Sequence, residues 1–150
     1  MTIEEISAMV RDLGVRIRYV EMPPDRDGEY HHDLRLIRIQ SRLTERAHRS
    51  VLAHECAHAA FGDVPSMFGP ANARQERRAD EWAALRLITI DDYRRAESLH
   101  QGHPEAMAVE LDVLVDIIDA FQRVLLRVGD NVYITPRMGS GQYAQRVEAG

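Results

Sequence analysis

The segment from Thr44 to Gly62 constrains this chain more than any other, because it reads as one helix whose middle is almost entirely small or apolar yet carries two histidines and a glutamate. Thr44 is the expected N-cap, and Gly62 the expected stop just after Phe61. A helix with so little polar surface has to lie centrally. Within it, His54-Glu55-Cys56-Ala57-His58 has the pattern H-E-x-x-H. Residues i and i+4 stack on one face of a helix, so two imidazoles can reach a single zinc ion at about 2.0–2.1 Å. Glu55 projects to one side of them. There it can take a proton from the attacking water and pass it to a leaving amine.

Two imidazoles do not complete a catalytic zinc site, which takes three protein ligands and keeps one position open. The next strongly helical stretch, Gln75 to Ile88, carries Glu76 and Asp80 at i and i+4, continued by Ala83 and Leu87 and flanked by Ala79. Carboxylates at the head of an apolar stripe are costly to bury unless something pairs with them. Glu76 is therefore the expected third ligand. Asp80 is the expected acceptor that orients one histidine through its other ring N–H; the competing reading is a surface ion pair with Arg77 or another arginine. Between the helices, residues 62–72 hold two prolines and two glycines and read as a loop long enough to fold the second helix back on the first.

The remaining elements follow from periodicity. Thr2 and Glu5 have capping-box spacing ahead of a helix over 3–13, closed by Gly14. Alternation over 15–20 predicts a strand, Pro23 to Gly28 a turn, and 34–39 a second long strand with a short one at 29–32. These should form a small antiparallel three-stranded sheet. Asp91 can cap a helix to about His100, and 105–128 is helical with a break near Asp112. From 129 to 150 periodicity fades, and a poorly ordered tail is expected. The chain of 150 residues thus reads as one domain over 1–128, mainly helical with a small sheet.

Composition narrows the setting. A charged fraction of 29% and a hydrophobic fraction of 45% belong to a soluble globular chain, and no apolar run approaches the roughly 20 residues of a membrane span. No membrane partner is expected. The N-terminus carries acids where a signal peptide carries bases, and Cys56 is the only cysteine, so the expected location is cytoplasmic. Net charge is -5, and Ala106 to Phe121, which loosely matches helix-turn-helix spacing, would set Asp112, Asp116 and Asp119 against phosphate. Direct nucleic-acid binding is not expected. Cys56, opposite the histidines, and Trp82 read as core, His48 as surface, and His31 and His32 as solvated or structural. Tyr30, Tyr93, His100 and His103 all remain candidates for stabilising an oxyanion.

With these residues in place, the chain resembles the ImmA/IrrE family of small metallopeptidases over roughly residues 1–125. The likeness rests on Leu52-Ala53-His54-Glu55-Cys56-Ala57-His58 and on Glu76 to Ala84, which matches the family's E-x-x-A-(N/D)-x-(F/W)-A-A segment. It departs where Leu87-Ile88-Thr89 stands in place of the frequent Leu-Met-Pro. The resemblance implies a minimal zincin-like α+β fold with the small sheet packed on the motif helix, with Zn2+ held by His54, His58 and Glu76 and a spacing to Asp80 similar to that of thermolysin-like gluzincins. It also implies a zinc endopeptidase that cuts a cytosolic regulatory protein, a helix-turn-helix repressor of phages or mobile elements. The alternative is a binding module that keeps the metal scaffold and captures its partner uncut.

Overall fold

The computed structural model describes residues 1–130 and two short strands at 133–134 and 146–147. It divides into two compact units, Met1–Ala83 and Ala84–Gly150.

The first unit begins with helix α1 (Ile3–Asp12), where the capping box is formed in both directions: Glu5 N–H donates to the Thr2 hydroxyl at 3.1 Å, and Thr2 N–H to the Glu5 carboxylate at 3.0 Å. Its buried stripe, Ile6 and Val10, packs toward α2 (Glu45–Phe61). Three strands follow α1: β1 (Arg16–Val20), β2 (Gly28–His31) and β3 (Leu36–Gln40). Their order is β1-β3-β2, with β2 antiparallel and β1 parallel to β3. The expected antiparallel sheet is thus a mixed one. A parallel pair needs a connection of a dozen or more residues. Residues 21–35 supply it, and β2 lies inside that connection. Gln40 holds the arch over the end of β3, accepting from Met22 N–H at 3.1 Å and donating to its carbonyl at 3.0 Å.

The sheet is one-faced. Ile17, Ile37 and Tyr30 form one cross-strand row, and Tyr19, Ile39 and Gly28 the next; Ile37 and Ile39 are fully buried. Arg18, Arg38 and Glu29 make the row on the other face. Gly28, expected in the turn, is instead the first residue of β2. A methyl group there would lie 2.7 Å from Val51 Cγ1 and 3.1 Å from Glu55 Cγ, so glycine lets the strand press directly on α2.

Thr44 caps α2 as expected, accepting from Ala47 N–H at 3.2 Å. Gly62, at φ +66°, ends it: Gly62 N–H bonds to Ala59 O and Asp63 N–H to His58 O at 3.0 Å, the paired bonds of a Schellman motif. Helix α3 (Gly69–Leu87) starts six residues before the expected Gln75. Pro70, read as part of a breaker-rich loop, lies in the first turn, where a missing N–H costs nothing. Ala79, Ala83 and Leu87 are its buried stripe, whereas Leu85 is half exposed and Trp82 only half-buried, so the tryptophan is less of a core residue than expected.

The second unit holds the helices α4 (Ile90–Leu99), α5 (Pro104–Leu111) and α6 (Val115–Asp130). Thr89 rather than Asp91 caps α4, taking Asp92 N–H at 3.1 Å. This leaves Asp91 and Asp92 in the first turn, where the helix dipole favours acids. The break near Asp112 is present, with that residue at φ +59°. Tyr93 stacks on Phe121 at 4.8 Å, and Met107, Val113, Ile117 and Ile118 are buried while Asp112, Asp116 and Asp119 face solvent. Helix α6 runs two residues past the expected end, and the two-residue strands β4 (Tyr133–Ile134) and β5 (Arg146–Val147) pair antiparallel. Apart from these, the expected tail lies outside the described residues. No helix among the described residues is long and apolar enough to cross a membrane.

Candidate metal centre

Helix α2 presents His54 and His58 one turn apart, their ring centroids 4.7 Å apart and their Nε2 atoms 3.1 Å apart. Glu76, from the second turn of α3, meets both: Oε1 lies 3.1 Å from His54 Nε2, and Oε2 lies 3.1 Å from His58 Nε2. Ligating atoms of these three residues all fall within 4.8 Å of one another, so the group is able to hold a metal ion. Glu76 is not buried as the stripe argument supposed; its side chain is 61% exposed, at the mouth of the site.

Each imidazole is held from behind. His54 Nδ1 lies 2.7 Å from Asp80 Oδ1, and His58 Nδ1 lies 2.8 Å from Asp63 Oδ2. The first contact is the one expected for Asp80, in place of an ion pair with Arg77. The second was missed. Asp63 stands at i+5 from His58, a spacing no helix brings together, and only the reversal at Gly62 turns its carboxylate back onto the ring. The sole sequence signal was an aspartate directly after the stop glycine. Arg78 of α3 pairs with the other oxygen of Asp63, its guanidinium 4.0 Å over the Phe61 ring.

The donor set itself tests whether a metal fits. With each Nδ1–H committed to a carboxylate, each neutral ring turns an unprotonated Nε2 inward, toward a carboxylate that can only accept. Lone pairs facing one point repel unless a cation or shared protons lie among them. Two imidazole nitrogens and one carboxylate are a recurrent donor set of catalytic zinc. Without metal, protons take that place. Burial of the His54 ring opposes its charge, but hydrogen bonds to Asp80 and Glu76 overcome this and lift its pKa to about 10. His58 is raised against the same penalty of burial by Glu76 and Asp63. Glu76, bonded to both rings, is held well below the usual carboxylate range.

Glu55 is 6% exposed and lies beside this cluster. Burial, countered by the two histidines and reinforced by Glu76 and Glu29, raises its pKa above the ordinary glutamate value. It opens on a cleft of about 380 Å³ lined by Gly28, Glu29 and Tyr30 of β2, by His54, Glu55 and His58 of α2, and by Asp63, Val64, Pro65, Asn72, Gln75 and Glu76. Of the candidate oxyanion donors, Tyr30 lines this cleft. Its hydroxyl lies 2.8 Å from His32 Nδ1. Tyr93, His100 and His103 belong to the second unit, with the histidines beside Glu110 and Glu105. His31 pairs with Glu29, His48 meets the Tyr19 hydroxyl at 2.9 Å, and Cys56 is wholly buried.

A buried carboxylate beside two imidazoles and an acid that can share one ion is the arrangement of a metal-dependent hydrolase. The chain matches the family described as Peptidase_M78, IrrE N-terminal-like domain, over residues 10–120, and it belongs to that family, whose members are metallopeptidases of the ImmA/IrrE type. No curated protein matches it.

Proposed function

We propose that the protein is a cytoplasmic zinc endopeptidase in which His54, His58 and Glu76 hold the ion and Glu55 is the general base. The carrying observation is the convergence of the two Nε2 atoms and Glu76 at 3.1 Å with both Nδ1 atoms tied back to carboxylates. Zinc is favoured over harder cations by the two imidazole donors. When bound, the ion supplies Lewis acidity to a water and to the scissile carbonyl.

Glu55 accepts the proton of the attacking water and delivers it to the departing amine. Its raised affinity for a proton suits a group that must take one up and release it in each cycle. Strand β2 lines the cleft and pairs with β3 alone among the described strands, so its other edge carries no strand and can pair with an extended substrate backbone. A module that only captured its partner would gain nothing from a buried base at this point. The substrate class, a helix-turn-helix repressor, rests on the family resemblance.

Purified protein should hold about one equivalent of zinc and cut the repressor encoded beside its gene, and Glu55→Gln should keep the zinc while cleavage falls by about a hundredfold or more. A stable complex without fragments, formed by the zinc-loaded wild type, would instead favour the capture module.

A further inference from the structure

Residues 64–68 lead away from the cleft, which Val64 and Pro65 line, and are unusually apolar for a connection facing water. Val64 and Phe68 are 52% and 60% exposed, and Met67 is wholly exposed. The loop nevertheless has a defined shape. Asn72 accepts from Ser66 N–H at 2.7 Å and donates back to the Ser66 carbonyl, while Phe68 N–H bonds the Ser66 hydroxyl at 3.0 Å. Asn72, Val64 and Pro65 also line the cleft. A pinned, exposed apolar surface that runs into the cleft is a binding surface, because it adds nothing to the core and is not a product of slack chain.

We infer that the 64–68 loop is the specificity wall of the cleft and takes a large apolar side chain adjacent to the scissile bond. This rests on the reading of the site as a zinc peptidase. Continuity selects the occupant: whatever seats on Val64 and Pro65 shares the cleft with Glu55 and Glu76, so it reaches the reacting centre. Strand β2 contributes Gly28, Glu29 and Tyr30 to the lining and the helices contribute charged or amide side chains, so Val64 and Pro65 are the aliphatic side chains among the lining residues.

The test uses zinc-loaded protein and two hydroxamate series, one whose side chain precedes the zinc-binding group and one whose side chain follows it, each carrying Leu, Phe, Ala or Asp. In at least one series the Leu and Phe members should bind about tenfold tighter than Ala and Asp by calorimetry, in line with burial of a few methylenes. Val64→Ser and Phe68→Ser should each reduce that preference, with zinc content measured in parallel to separate a loop effect from a damaged metal centre. Equal binding across both series, or a preference that both variants retain, overturns the inference while leaving the peptidase reading intact. Failure of every hydroxamate to bind removes the peptidase reading and this inference with it. A dimer that dissociates in Phe68→Ser with hydroxamate preference unchanged assigns the loop to self-association and also overturns it.

Discussion

The two histidines of the motif helix are chemically equivalent, yet they are supported in different ways. Behind His54 stands Asp80, on the same helix as Glu76 and one turn further along, 29% exposed. Behind His58 stands Asp63, 7% exposed, delivered by the helix stop and paired with Arg78. One arm is a matter of helical repeat and the other of a chain reversal. Support from a regular element survives small changes of sequence. Support from a left-handed glycine and an ion pair with only its carboxylate enclosed depends on each of its parts.

Removing a ligand gives the largest effect and tests whether the arms converge on one ion. His54→Ala, His58→Ala and Glu76→Ala should each abolish stoichiometric zinc, measured by metal analysis after gel filtration; retention in one of them would mean that the two arms do not serve a common ion. Replacing the carboxylates comes next. Asp63→Asn and Asp80→Asn should each weaken zinc affinity by about 10- to 100-fold, with the greater loss at Asp63 because it is the more enclosed. Competition with a chelator of known affinity ranks them, and an equal or reversed ranking would erase the proposed asymmetry. Gly62→Ala should act on the His58 arm alone: its φ of +66° is strained for any side chain, so the protein should lose about 1 kcal/mol of stability and some zinc affinity, with Asp80→Asn adding independently.

Proton linkage gives the most continuous readout. In the metal-free chain His54 is held above its ordinary value, at about 10, so its charge contributes stability that is fully present below pH 6.5 and lost as pH rises through about 10. Denaturant unfolding of the metal-free protein should therefore show stability falling across that window. Zinc must displace the same proton. Calorimetry near neutral pH in buffers of different ionisation heat should show release of about one proton or more per zinc, and no release would place a neutral His54 in the free site.

Much of this was legible in the chain. Thr2, Thr44 and Gly62 announce helix ends through local hydrogen bonding, so α1 and α2 fall within a residue of expectation. The break at Asp112 was likewise visible, from the loss of period. The start of α3 was not, because Pro70 can either break a helix or open one and the choice depends on how residues 66–72 bond to each other. Strand direction was also hidden, since alternation marks a strand but says nothing of which neighbour it pairs with. Asp80 was found by its spacing from Glu76, whereas Asp63 has no spacing rule that ties it to His58.

The sequence by itself determined which residues stand at helical intervals, and hence that His54 and His58 share a face and that Glu76 and Asp80 share another, because a helix has one repeat whatever surrounds it. Tertiary structure alone decided that Asp63 backs His58, that Gly28 admits β2 against Glu55, and that β3 lies between β1 and β2. Those depend on how far apart residues distant in the chain come to rest, and that distance is set by packing and chain reversal rather than by any local period.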